Sequence, residues 1–279
     1  MPIHDQGYRR YAGTRAPLGR AWAVIAKTGV RTLLGRKAFV GLLLLAWFPF
    51  FVRAVQIYAA ANLPQAAFLA PTPEMFRQFL EQQEIFMFFV TVYAGAGLIA
   101  NDRRANALQI YLSKPLTRFE YVAGKLAVLA AFLLLVSWVP ATVLLLVQIM
   151  FTGNFEFFTA NLHLFPAITL FSAIQVATVS SVMLALSSLS NSSRYVGVLY
   201  AALVFFTQAM YGVLFAFTRN SSYSFISMPF NLGQAGDFIF RLPLRYHTPV
   251  PVAFLMIGIA IALSAAILER RVRGVEVVV

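Results

Sequence analysis

Six long apolar stretches, separated by shorter polar segments, set the hydrophobic pattern of the chain. A transmembrane helix needs about 20 consecutive apolar residues, and it satisfies its own backbone hydrogen bonds in lipid. The second stretch is the shortest, and we expect its helix to continue upstream through Phe79–Gln83. The predicted spans are Ala38–Ala61, Ile85–Ala100, Tyr121–Phe151, Leu164–Leu189, Tyr195–Phe217 and Val250–Leu268. The pattern therefore predicts an all-α integral membrane protein with six transmembrane helices.

An amphipathic segment over residues 18–33 precedes the first span. On a helical wheel its apolar side chains share one arc and its basic side chains lie opposite. The apolar set is Leu18, Ala21, Trp22, Ile25 and Leu33, and the basic set is Arg20, Lys27 and Arg31. This arrangement is typical of a helix lying in the headgroup layer of an anionic leaflet. A solvated basic tail is the alternative interpretation.

The composition agrees with a bilayer as the main solvent, since the chain is 60% hydrophobic and only 11% charged. With the N-terminus inside, 17 of the 22 Lys and Arg residues fall on the same side of the membrane. Cytoplasmic loops of membrane proteins carry such an excess of Lys and Arg. We therefore predict that both termini are cytoplasmic. The predicted layout is an N-terminal segment with the interfacial helix at 1–37, a transmembrane domain at 38–268 with outer loops at 62–84 and 218–249, and a C-terminal tail at 269–279.

The polar segment 101–125 has the sequence of an ordered helix, turn and helix. The Asn101-Asp102 pair can cap a first short helix, and the Lys114-Pro115 pair ends it, because the residue before proline is disfavoured in helical backbone. Thr117 and Glu120 then have the spacing of a capping box at the start of the third span. The sequence therefore predicts a short cytoplasmic helix joined by a tight turn to a long transmembrane helix.

The surface of this short helix is suited to a protein partner. Leu108 and Leu112 are four residues apart and share a face, while Arg103 and Arg104 stay available for a contact. The alternative is a solvated loop whose arginines only set the topology.

These residues resemble the loop after the second span in ABC type-2 permeases, the transmembrane subunits of ATP-binding-cassette transporters. In that family the loop carries an acidic residue, arginines and a leucine-rich helix. A Ser-Arg/Lys-Pro-Leu-Ser/Thr-Arg turn follows, and then a Tyr…Gly-Lys motif that enters the third span. The matching positions here are Asp102, Arg103, Arg104, Leu108, Leu112, Ser113-Lys114-Pro115-Leu116-Thr117-Arg118, Tyr121 and Gly124-Lys125. One departure is Asn106, where the family often has glycine.

The resemblance implies that segment 101–120 is a coupling helix that docks on a cytoplasmic ABC ATPase. It also implies a second permease chain, in a homodimer or a heterodimer, and an exporter in the inner (plasma) membrane. ATP and Mg²⁺ would be bound by the partner ATPase. The residues to which the resemblance gives an ATPase-coupling role are Asp102, Arg103, Arg104, Leu108, Leu112, Lys114, Pro115, Arg118 and Glu120.

The motifs that are missing from the sequence bear on catalysis. A phosphate-binding loop of the form G-x-x-x-x-G-K-[ST] does not occur, so we expect no ATP hydrolysis and no cofactor in this chain. The sequence has no cysteine, and its three histidines lie outside the predicted spans. His163, His247, Glu156 and Asp237 share the outer side, but such scattered loop residues rarely form a metal site, and we predict none. The alternatives to the permease are a secondary transporter or channel, and a non-catalytic membrane subunit of a larger complex.

Polar side chains inside the spans are the candidates for a transport pathway. Arg53 and Gln56 lie on nearly the same face in the outer half of the first span, and Ser172, Gln175 and Thr178 lie in the fourth. Arg53 could meet an anionic substrate or simply reach the outer interface. The polar residues of the fourth span could line a cavity or form interhelical hydrogen bonds.

Overall fold

A computed structural model of the chain describes residues 21–107, 117–152 and 156–272. Within these ranges the chain is almost entirely helical and contains no strand. Twelve α-helices are described: α1 Ala21–Leu34, α2 Lys37–Ala46, α3 Phe48–Asn62, α4 Pro73–Val90, α5 Ala100–Arg104, α6 Arg118–Val136, α7 Trp138–Thr152, α8 Glu156–Ala160, α9 Leu164–Leu189, α10 Ser193–Thr218, α11 Met228–Ile239 and α12 Val250–Arg271. Short 3₁₀ helices cover Pro64–Leu69 and Ser221–Ile226, and a π-helical turn covers Thr91–Gly95.

Six helical units in the described ranges are long and apolar enough to cross a membrane, which confirms the predicted all-α fold and the number of spans. They are Lys37–Asn62, Pro73–Arg104, Arg118–Thr152, Leu164–Leu189, Ser193–Thr218 and Val250–Arg271. We call the end of the bundle that carries Asp102 the inner end, because the sequence predicts that it faces the cytoplasm. The opposite end is the outer end.

The second span is longer than the sequence predicts. Its helix begins at Pro73, inside the segment 62–84 that the sequence predicts as an outer loop, and Thr72 caps it by accepting a hydrogen bond from the Met75 amide. The first three turns carry the charged residues Arg77 and Glu81, which lower the local hydropathy. These residues find charged partners in the folded chain, so the helix extends further than an apolar run indicates.

Two of the spans are broken near prolines. The first span bends at Trp47, just before Pro49, and the third bends at Ser137, just before Pro140. Proline has no backbone N–H, so the hydrogen bond to the residue four positions earlier is lost at each site. The break in the third span divides it into α6 at the inner end and α7 at the outer end.

Helix α9 lies at the centre of the bundle and contacts α6, α7, α10, α11 and α12. Most of its apolar stretch is buried, whereas α10 and α12 are largely exposed on the outside of the chain. The serines and threonines of α9 are therefore inside the protein, and several donate to carbonyls of their own helix. This placement explains how a polar stripe is tolerated in a span.

The N-terminal helix α1 packs on the inner part of α6 through small residues. A Cβ added at Gly124 would lie 2.9 Å from the Trp22 carbonyl oxygen, and one added at Gly29 would lie 2.5 Å from a Val128 methyl. The two helices therefore approach more closely than larger side chains allow. The predicted helix is present over Ala21–Leu34, and its location in the headgroup layer stays a prediction.

Candidate functional site

Asp102 ties the start of the predicted coupling segment to the third span. The Tyr121 hydroxyl donates a hydrogen bond of 2.7 Å to the Asp102 carboxylate, and the Lys125 ammonium lies 2.6 Å from the same oxygen. Tyr121 and Lys125 are one turn apart on α6, so they reach the carboxylate from one face. The segment after the second span is thus fixed to the helix that follows it in the chain.

The inner end of α9 binds the same segment from the other side. The backbone amides of Ile99 and Ala100 donate to the Ser187 hydroxyl at 3.1 and 3.0 Å, and that hydroxyl donates to the Ala96 carbonyl at 2.9 Å. Arg103 donates to the Ser188 carbonyl. Because Ser187 is fully buried, these bonds satisfy amides where the second span leaves regular helix.

We call Asp102, Arg103, Tyr121, Lys125 and Ser187 the inner junction. It joins the second, third and fourth spans at one point, through an ion pair and hydrogen bonds to buried groups. A displacement of residues 100–107 therefore pulls directly on two other spans. This is the mechanical property that a force-transmitting element needs.

Asn106 is in the left-handed region, with a φ of 52°. This conformation suits glycine best, and asparagine is among the other residues that adopt it most readily. The backbone at the position where the family often has glycine therefore keeps the conformation that glycine favours. Asn106 replaces that glycine without requiring a different turn.

The capping box at the start of α6 is present. The Glu120 amide donates to the Thr117 hydroxyl at 3.2 Å, and the Thr117 amide donates to the Glu120 carboxylate at 3.1 Å. Glu120 is buried, while Arg118 and Phe119 next to it are exposed, Phe119 to 80%. A large exposed aromatic side chain beside an exposed arginine marks a surface that a partner can cover.

The remaining predicted coupling residues divide into two groups. Arg104 is exposed, and Arg103 is half-buried through its bond to α9. Leu108, Leu112, Lys114 and Pro115 lie outside the described residues.

Three of the candidate pathway residues take part in two separate side-chain pairs. Arg53 donates to the Gln56 side chain at 2.9 Å, and the amide of Gln56 lies 3.4 Å from the Leu69 carbonyl. Gln175 lies 3.4 Å from the Glu84 carboxylate. Of the hydrogen bonds formed by the described residues, none links these two pairs.

The other two candidates of the fourth span differ in their hydrogen bonding. Thr178 donates to the carbonyl of Ile174 in its own helix, at 2.7 Å. Ser172 is fully buried, and its hydroxyl has no hydrogen-bond partner among the described residues. The hydroxyl of Thr178 is therefore satisfied locally, and that of Ser172 is free for another group.

A charged network at the outer end was missed by the sequence reasoning. Asp237 of α11 lies 3.2 Å from Arg77 of α4 and 2.9 Å from Arg245, and Arg245 also forms a two-pronged bond to Glu81 at 2.6 and 2.8 Å. Arg77 and Asp237 are each only 1% exposed. Their pairing attaches the segment after the fifth span to the start of the second span.

Helix α11 accommodates the buried arginine with a backbone carbonyl at Gly233 and an absent side chain at Gly236. Arg77 donates to the Gly233 carbonyl at 3.3 Å and lies 4.8 Å from the centre of the Phe171 ring. A Cβ at Gly236 would lie 2.6 Å from the Arg77 guanidinium. The sequence signal for this site was the spacing of Arg77, Glu81 and Glu84, which recur on one helical face.

The electrostatics of the network follow from its geometry. The hydrogen bond to Glu81 raises the pKa of Arg245, so this guanidinium stays charged. Burial raises the pKa of the Asp237 carboxyl, and the charges of Arg77 and Arg245 act against that rise. Asp237 is thus held by arginines, and the His247 ring is bonded to Ser221. Among the described residues, no three His, Asp or Glu side chains converge as ligands for a metal ion.

The fold and the inner junction define a multi-pass membrane protein with a structured connection at one end. The chain belongs to a family described as ABC-2 family transporter proteins, whose model matches residues 23–271. The match runs from the first turn of α1 to the end of α12. No curated protein matches the sequence. The chain is accordingly an ABC transporter permease, which is a membrane component and not itself the catalytic subunit.

Proposed function

We propose that this chain is the permease subunit of an ABC exporter, and that a separate cytoplasmic ATPase drives it through residues 101–120. Family membership supports an ABC ATPase partner, and often a second permease chain accompanies it. The partner binds ATP and Mg²⁺, and two permease chains form the pathway in the inner membrane. The spans then alternate between inward-facing and outward-facing packings as ATP binds to and leaves the partner.

The observation that carries the proposal is the inner junction. Arg104 comes before residues 108–116 in the sequence, Arg118 and Phe119 follow them, and all three side chains are exposed. Asp102, two residues before Arg104, is fixed to α6. A contact made at these exposed residues is therefore close in the chain to the ion pair that joins the second and third spans.

The test is co-purification from the native host in mild detergent, with mass spectrometry of the proteins retained. The variant Arg104→Glu/Arg118→Glu reverses both exposed charges without touching the inner junction. The control variant Arg219→Glu/Arg241→Glu reverses two exposed charges at the outer end.

We expect a stoichiometric P-loop ATPase with the wild type and the control, and its loss with the inner double variant. A folded, membrane-inserted wild type that retains no ATPase would overturn the proposal. An ATPase retained equally by all three proteins would place its docking site elsewhere.

A further inference from the structure

Together with Glu84, the outer charged network contains one carboxylate more than it has arginines. Arg77 and Arg245 supply two positive charges, whereas Glu81, Asp237 and Glu84 supply three carboxylates that act on one another electrostatically. The arginines are in direct contact with Glu81 and Asp237. Glu84, one turn deeper in the membrane span, forms no ion pair within the described part of the chain. An ionised carboxylate without a counter-charge is costly inside a span, and a bound cation would remove that cost.

The surroundings of Glu84 are polar and incompletely bonded. The amide nitrogen of Gln175 lies 3.4 Å from the Glu84 carboxylate. The amide oxygen of Gln175, a residue that is 2% exposed, has no hydrogen-bond partner among the described residues. One turn earlier on α9, the buried hydroxyl of Ser172 is likewise unpaired. Buried polar atoms are normally bonded, so these two atoms are available to a ligand at this point.

Aromatic rings cluster one turn along the second span from Glu84. Phe88 follows Glu84 by four residues and therefore shares its helical face. The Phe88 ring lies 5.6 Å from Tyr200 and 5.3 Å from Phe205, both on the fifth span. Glu84 is half-buried and Phe205 is 57% exposed, so both side chains are partly accessible from outside the chain.

A carboxylate beside several aromatic faces is the chemistry that recognises organic cations. The carboxylate supplies the opposite charge, the ring faces attract the cation, and the apolar edges accept hydrophobic substituents. We propose that Glu84, Gln175, Phe88 and Tyr200 form a binding site for a monovalent organic cation carried through the membrane. The substrate class is therefore an amphipathic amine or a permanently charged equivalent. This proposal rests on the transport function proposed above.

The test compares two probes of equal size and opposite charge, tetraphenylphosphonium and tetraphenylborate, at the full-length chain in lipid nanodiscs without ATP. Partition into lipid is subtracted with empty nanodiscs, and the control variant is Glu74→Gln, which neutralises an exposed carboxylate on the same helix. We expect saturable binding of tetraphenylphosphonium by the wild type and by Glu74→Gln. In Glu84→Gln its affinity should fall about tenfold or more. Tetraphenylborate should show no saturable component in any of the proteins.

Phe88→Leu separates the aromatic contribution from the charge. It keeps an apolar residue but removes the ring, and should weaken tetraphenylphosphonium binding about threefold to tenfold. It also decides the matter if Glu84→Gln does not fold, as judged by gel filtration and thermal unfolding. If Glu84→Gln folds, a tetraphenylphosphonium affinity equal to that of the wild type would overturn the site. If Glu84→Gln does not fold, the same result in Phe88→Leu would overturn it. Saturable binding of tetraphenylborate would overturn its charge selectivity.

Failure of this binding site and failure of the proposed function give different results. The binding assay requires neither ATP nor an ATPase, and the co-purification requires no substrate. Loss of ATPase association with intact tetraphenylphosphonium binding would point to a transporter driven in another way. ATPase association without such binding would leave the permease assignment intact and reject the organic cation.

Discussion

The outer charged network gives a sharp prediction about stability. Arg77→Met replaces the buried guanidinium with an apolar side chain and leaves Asp237, itself 1% exposed, with only Arg245 as a counter-charge. Removing one partner of a buried ion pair typically costs about 3–5 kcal/mol. The carbonyl of Gly233 and the ring of Phe171 lose their contacts with the guanidinium as well. We therefore expect a loss of about 3 kcal/mol or more in the free energy of unfolding.

The matched control is Glu81→Gln. It breaks the Arg245–Glu81 pair, in which both side chains are 40% exposed. Exposed pairs contribute about 1 kcal/mol or less, so its effect should be small although its bonds are shorter than that of the buried pair. Burial of the pair, and not the length of its bonds, should therefore decide which of the two variants loses more stability.

The assay is equilibrium unfolding in mixed micelles with an increasing fraction of denaturing detergent, monitored by tryptophan fluorescence. The unfolding curves of all variants are fitted with a common slope, so that their free energies of unfolding can be compared. A second variant, Asp237→Asn in the Arg77→Met background, removes the stranded carboxylate. It should recover part of the lost stability, because replacing both partners of a buried pair is far less costly than replacing one. The reasoning would be refuted if Arg77→Met cost no more than Glu81→Gln, or if Asp237→Asn made Arg77→Met worse.

Three further predictions concern the inner half of the protein. Gly124→Val should release α1 from α6 and increase the proteolysis of α1 in detergent. Gly258→Val should not, because a Cβ added at Gly258 meets nothing within 4 Å. Equal proteolysis of the two variants would contradict the close packing of α1 on α6. Ser187→Ala should lower the free energy of unfolding by about 1–3 kcal/mol, because it strands two buried amides. Ser264→Ala, which removes only a bond to its own helix, should be nearly neutral, and similar losses in both variants would count against the inner junction. Asn106→Gly should leave the free energy of unfolding nearly unchanged. Asn106→Val should lower it by about 1–3 kcal/mol, because valine is strained at this positive φ. An Asn106→Val variant as stable as the wild type would show that the left-handed conformation is not needed at this position.

Local features could be predicted from the sequence because their partners are near in the chain. The capping box joins Thr117 to Glu120, and the shared face of Arg53 and Gln56 lets their side chains bond; each pair is three residues apart. The apolar runs likewise located six spans, since the length and hydropathy of a span are local properties.

The outer network could not be predicted in the same way. Arg77 and Asp237 are far apart in sequence, and hydropathy alone assigns each to a polar loop. Only the packing of α11 against α4 and α9 brings them together and allows both to be buried. The position of Gln175 in a span makes it a candidate, but its partner Glu84 falls at the boundary between the predicted outer loop 62–84 and the second span. Tertiary pairing of charges is therefore what the sequence pattern could not show.

The most direct test of the central proposal is site-specific cross-linking at the inner end. The natural chain has no cysteine, so Arg104→Cys provides a single attachment point for a thiol-reactive photo-cross-linker. Irradiation in native membranes, followed by mass spectrometry of the adduct, should identify a P-loop ATPase whose cross-linking yield changes when ATP is added. Arg219→Cys at the outer end should give no such adduct. If Arg104→Cys captures no ATPase under conditions in which the chain is folded and inserted, residues 101–120 are not the coupling element.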